Sequence, residues 1–290
     1  MISSLLQYEF LQNAFFTGIM IGLIAPLIGV FIVVRRLSLI ADALSHITLA
    51  GIAASMLIEK KISSVQGLNP MYMGMLFSVF GALFIEKLRK VYKHYEELAI
   101  PIILSGGVGL SVVFISLANG FNTDLFSFLF GSVTAVSRLD VWTILTITIV
   151  VVLAIYLFFK ELFVLSFDEE HAAVSGVNAK SIHFLFIIMV ALVIAASMRI
   201  VGVLLVSALM TLPVAASIRI ARGFKQTLIF SIIFGELAVI GGLIAAYYLD
   251  IAPGGTIVIF SILILIAAIY WKKLKLSFGK KLQGGGIIEH

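Results

Sequence analysis

The 290-residue chain is 61% hydrophobic and 12% charged, with a mean hydropathy of +1.17, whereas a soluble domain carries about 25% charged residues. Nine spans of roughly 20 residues would use about 180 of them, which excludes a soluble enzyme and leaves no room for a separate ectodomain of even ~100 residues. The formal charge of +5 does not point to nucleic acid, because basic residues in such a chain first report orientation, and the absence of cysteine removes disulfides and thiolate chemistry.

Residues 1–13 carry Glu9 and no Lys or Arg, with Leu5, Leu6, Phe10 and Leu11 at helical spacing. They predict a short interfacial helix, not a signal peptide. Nine spans are then predicted at residues 14–34, 37–58, 67–85, 99–118, 141–159, 181–198, 200–218, 226–248 and 254–271. Residues 121–137 are apolar but too short to cross, which predicts a half-helix packed against protein. Spans six and seven meet at Ser197, Met198 and Arg199, as a tight turn or a broken helix, and Arg199 is read as snorkelling to the surface. If Arg35 and Arg36 face the cytoplasm, only Lys60, Lys61, Arg138 and Arg199 fall on the other side, and the remaining 16 of 20 basic residues are cytoplasmic. That asymmetry places the N-terminus outside and the C-terminus inside. The fold class expected is an all-α polytopic membrane protein: one transmembrane domain over residues 1–272, then a basic, Gly-rich, disordered cytoplasmic tail from about 273 to 290.

Ionisable residues at bilayer depth are costly and mark function by default. Asp42 and His46 in ADALSHITLAG stand four residues apart on one helix face, half of a tetrahedral site for a borderline cation such as Zn²⁺ or Mn²⁺. The competing structural readings are an Asp42–His46 hydrogen bond or an Asp42 helix cap. Glu236, beside Gly235 in the eighth span, is a third-ligand, gate or packing candidate. His183 lies near a helix end without a second donor at ligand spacing. Small residues around Gly51, Gly106, Gly107, Gly109, Gly241 and Gly242 permit close helix approach, and Pro26 and Pro213 mark possible kinks. The loop over 167–178 opens with acidic Asp168, Glu169 and Glu170 and closes at Gly176, a helix start and stop. The loop reads either as a plain connector or, since Glu170, Ala172 and Gly176 have the spacing of such an element, as a short coupling helix by which a permease docks on an ATPase. The chain has no P-loop, so it cannot itself cradle and hydrolyse ATP through one, and no HExxH motif, which argues against an intramembrane zinc protease.

With these residues in view, the sequence resembles the permease subunit of the zinc/manganese ABC importer family over about residues 10–272. The resemblance rests on RRLSLIADALSH (35–46) with Leu49, Ala50 and Gly51, on 167–178, on VGVLLVSA (201–208) and on APGGT (252–256). It implies that Asp42 and His46 line a metal path and that Glu170, Ala172 and Gly176 couple to the ATPase. Where the wider importer motif carries alanine this chain has His171, and Glu236 lies outside the matched motifs. The wording of 38–46 and of LMTLP (209–213) favours the zinc branch. The function expected is therefore ATP-driven import of Zn²⁺ or Mn²⁺ across a bacterial plasma membrane, with no resident cofactor. A cytoplasmic ATPase dimer, an extracellular metal-binding protein and a second copy of the chain would be partners. A proton-coupled secondary transporter using Asp42, His46 or Glu236 as a relay is the alternative, and a scaffold without transport is a third class.

Overall fold

The computed structural model describes residues 7–61, 69–118, 123–167 and 178–284, with side chains as far as Lys273. Among the described residues eleven α-helices occur in order: α1 Glu9–Val34, α2 Ser38–Lys61, α3 Pro70–Val91, α4 Ala99–Leu117, α5 Thr123–Phe130, α6 Arg138–Leu157, α7 Phe159–Phe167, α8 Ala179–Val201, α9 Val206–Ile220, α10 Phe224–Leu249 and α11 Pro253–Gly284. A 3₁₀ turn, Glu96–Leu98, leads into α4. No strand occurs among the described residues. In hydrocarbon a helix satisfies its own backbone, so this all-helical result is what the composition demands.

The sequence also writes the helix starts. Pro70 takes the first position of α3, and the Asn69 side chain accepts from Met71 N at 3.1 Å. Ser137 and Asp140 form a reciprocal capping box at the start of α6. Asn178 caps α8 by accepting from Ser181 N.

The span windows of α1, α2 and α8 are 67%, 78% and 72% buried, against 22% for the window reaching from Glu96 to Leu117 and 28% for α6. Helix α2 therefore lies inside, packed on α3, α4, α8 and α9. Glycine sets how closely its neighbours approach. A Cβ on Gly107 of α4 would lie 2.9 Å from Ile47 N, and one on Gly51 would lie 2.6 Å from Met73 O of α3. Gly106 and Gly109 meet nothing within 4 Å, so only one member of that small-residue run makes a helix contact.

Eight helices are long and apolar enough to cross a membrane among the described residues, where nine spans were expected. The ninth segment, α9, has 15 residues, about 22 Å at 1.5 Å per residue, short of a ~30 Å core. It is short because it starts inside the fold. Helix α8 continues through Arg199 and ends at Gly202, whose φ is +82°, and the chain restarts at the fully buried Val206. The break thus falls after Arg199. Here α5, the expected half-helix, meets the break through main-chain bonds: Val203 N donates to Phe128 O at 2.9 Å and Ser132 N to Arg199 O at 3.1 Å. Gly131 also has positive φ, +79°, and a Cβ there would overlap the Ile200 carbonyl oxygen.

Two further expectations change. Residues 9–13 are not a separate interfacial helix but the opening of α1, which runs unbroken from Glu9 through Pro26 to Val34. The last helix continues past Lys272 to Gly284, where a disordered tail was expected. The predicted coupling helix, with Glu170, Ala172 and Gly176, lies outside the described residues.

Gly131→Ala should lower stability by about 3 kcal/mol or more, since it combines a disfavoured φ with a backbone overlap. Gly109→Ala, with open space around it, should leave the thermal unfolding midpoint unchanged. Equal midpoints for the two variants would show that the crossing of α5 and the α8–α9 break does not depend on glycine.

Candidate functional site

Asp42 and His46 sit one turn apart in the interior helix α2, both half-buried. Ser207 Oγ, in the first turn of α9, donates to Asp42 Oδ1 at 3.4 Å. Asp42 is therefore neither a helix cap, since α2 begins at Ser38, nor a hydrogen-bond partner of His46. Its helix is held from the other side. The His46 carbonyl accepts from Ser111 Oγ of α4 at 3.1 Å, and Gly107 permits that approach. Among the described residues no side chain bonds the His46 ring, which leaves a nitrogen donor available beside a carboxylate.

Glu236 is placed elsewhere. Its carboxylate packs on Gly22 of α1, where a Cβ would lie 3.1 Å from Oε2, and Gly235 packs on Pro26 of the same helix. Helix α10 lies against α1, α9 and α11. No group of three His, Cys, Asp or Glu residues able to hold a metal exists among the described residues, so Glu236 does not complete a three-ligand cluster with the pair. Its Oε2 is buried without a hydrogen-bond partner among the described residues.

Arg199 does not snorkel. Its side chain is 16% exposed and faces Asp140, which is fully buried, with Nε to Oδ2 at 3.5 Å. Its Nη2 donates to Asn69 Oδ1 at 3.2 Å, its Nη1 to Ala135 O at 3.3 Å, and the guanidinium lies 4.5 Å from the centroid of Phe128. Asn69 Nδ2 in turn donates to Asp140 Oδ1 at 2.7 Å. The residues that cap α3 and α6 thus also hold the cation at the end of α8. Asp140 and Asn69 were not singled out from sequence, although Ser137-x-x-Asp140 before an apolar run is a readable capping signal.

A bundle of membrane-length helices whose interior helix presents a carboxylate and, one turn on, an imidazole with no bonded side chain among the described residues has the form of a polytopic permease with a candidate cation path. The sequence profile of the ABC 3 transport family matches residues 7–272, and the chain belongs to that family. The Listeria monocytogenes "Manganese transport system membrane protein MntC" is 33% identical over 97% of this chain and 98% of its own length. The Haemophilus influenzae "High-affinity zinc uptake system membrane protein ZnuB" is 30% identical over 91% of this chain and 98% of its own. A chain in the solved structure of PsaBC from Streptococcus pneumoniae in complex with Fab is 31% identical, covering 92% of this chain and 93% of its own, with a TM-score of 0.80. The protein is a multi-pass permease subunit of a metal ABC importer of the plasma membrane.

Asp140→Leu should cost about 3–5 kcal/mol, because it leaves the Arg199 guanidinium buried without its counter-ion. Adding Arg199→Met should recover roughly half of that loss. Thermal unfolding of the detergent-solubilised variants checks both, and a double variant no more stable than Asp140→Leu would assign the cost to packing instead of charge.

Proposed function

We propose that the permease carries a divalent transition metal ion past Asp42 and His46, driven by ATP hydrolysis on a separate subunit. The observation that carries this reading is the interior pair itself: a carboxylate steadied by Ser207 and an imidazole that no described side chain occupies. A borderline ion exchanging its hydration shell needs such oxygen and nitrogen donors along its way. The pair accepts either Zn²⁺ or Mn²⁺. The wording of residues 38–46 favours Zn²⁺, while the manganese and zinc names of the two relatives support both.

In the same reading, Arg35, Arg36 and the start of α8 face the cytoplasm, and Arg199 faces outward, as the distribution of basic residues supports. An ATPase dimer docks on 167–178 through Glu170, Ala172 and Gly176, and an extracellular protein delivers the metal. Residues 1–272 act as one transmembrane domain. One coupling segment per chain and two ATPases per engine make the permease a homodimer, related by a two-fold axis.

Asp42→Asn keeps side-chain volume and removes charge; His46→Leu removes the nitrogen donor. Each should reduce metal uptake by vesicles containing the full complex about a hundredfold or more while leaving the amount of folded permease unchanged. Competition between ⁶⁵Zn²⁺ and Mn²⁺ in the same vesicles orders the two ions. Normal uptake by a well-expressed double variant would remove the pair from the path.

A further inference from the structure

The Arg35 end of the bundle holds a chain of charged and polar groups that the metal pair does not use. Arg35, at the end of α1, donates from Nη2 to Nδ1 of His183 at 2.6 Å. On the other side of the ring, Nε2 of His183 meets Glu86 Oε1 of α3 at 2.8 Å. An acceptor at Nδ1 and a donor at Nε2 is the arrangement of a neutral imidazole. Glu86 also binds Arg89 at 3.2 Å, and Arg89 reaches Glu96, in the 3₁₀ turn before α4, at 2.8 Å. The Arg35 guanidinium stands 5.3 Å from the ring centroid of Phe186, so α8 grips it with two residues one turn apart. His183 itself is 7% exposed.

What the chain connects gives it meaning. His183 lies in the second turn of α8, five residues after Asn178, which caps that helix and ends the segment proposed to meet the ATPase. Arg35 and Arg36 form the turn between α1 and α2, with Arg36 at φ +57° and Leu37 N bonded back to Ile32 O. Helix α2 begins two residues later, and Asp42 is in its second turn. Glu86 and Glu96 belong to α3 and to the entry of α4, the two helices packed most extensively on α2. A displacement at the start of α8 thus has a bonded route to the turn that leads into α2 and to α3 and the entry of α4, which pack on it.

We propose that His183 is a positioning residue: it ties the start of α8 to the turn carrying α2, so that movement of the coupling segment reaches Asp42 and His46. The bond at Nδ1 transmits to α1 and α2, and the bond at Nε2 transmits to α3 and α4. The link rests on the importer reading for its role in transport, but not for its existence.

Three variants test it. His183→Phe keeps a ring in place and removes both bonds. His183→Gln restores an acceptor toward Arg35 and a donor toward Glu86. Glu86→Leu breaks the link from α3 and serves if the Phe variant does not fold. In the solubilised permease alone, His183→Phe or Glu86→Leu should raise backbone hydrogen exchange across residues 36–42 by about tenfold, and His183→Gln should return it to within about twofold of wild type. In vesicles with the ATPase, Mn²⁺ taken up per ATP hydrolysed should fall about tenfold in the breaking variants while hydrolysis continues, and recover with Gln. Wild-type exchange over 36–42 in a folded His183→Phe protein overturns the link. So does a folded Gln variant as defective as Phe, which would assign the effect to the loss of the imidazole and not to its two bonds. Exchange that changes as stated in a permease whose wild type shows no ATP-driven uptake upholds the link and removes the importer reading instead.

Discussion

Everything in this fold answers to one constraint: a main-chain N–H or C=O placed in hydrocarbon must find its partner within the protein. Where the chain stays helical the constraint is met locally. Where it leaves the helix, at 202–205, the partners come from the end of α5, through Val203 to Phe128 and Ser132 to Arg199. Such an exchange needs the two backbones nearly in contact, and this is why Gly131 and Gly202 stand there with positive φ. The short α9 and the half-helix α5 are consequently a single device. Together they set the first turn of α9, with Ser207, beside Asp42 in the interior.

Charge is handled by a second, related rule. Ionised groups near the two ends of the bundle occur in bonded sets drawn from several helices: Arg199 with Asp140 and Asn69 at one end, Arg35 with His183, Glu86, Arg89 and Glu96 at the other. Asp42 and His46 are different. Among the described residues their side-chain bonds are sparse, one long hydroxyl bond to the carboxylate and none to the imidazole ring. Pairs saturated by the protein hold helices in register; a pair left under-bonded at depth retains the capacity to exchange ligands with something that passes.

The spans were legible because hydropathy and length act locally, and so were the half-helix over part of 121–137 and the Asp42–His46 spacing. The break after Arg199 was displaced by a few residues, because apolarity continues across 200–206 and only tertiary bonding reveals where the helix stops. Arg199 was misread for a similar reason: the residues that bury it, Asn69 and Asp140, are far away in sequence and each looks like an ordinary cap. His183 lacked a neighbour at ligand spacing along its own helix, and its partners come from α1 and α3. Local periodicity reports faces and spans; it carries no information on which distant face a polar residue will meet.

The Asn69–Asp140–Arg199 junction has a consequence for biosynthesis. Its members are separated by 71 residues between Asn69 and Asp140 and 130 between Asn69 and Arg199. At about 5–20 residues per second, the ribosome delivers Arg199 roughly 6–26 s after Asn69. Asp140 therefore reaches the bilayer with only Asn69 and its own capping serine as company, and the chain from 141 to 198 is made before its counter-ion. A chain truncated before Arg199 lacks the cation that ties the starts of α3 and α6 to the end of α8.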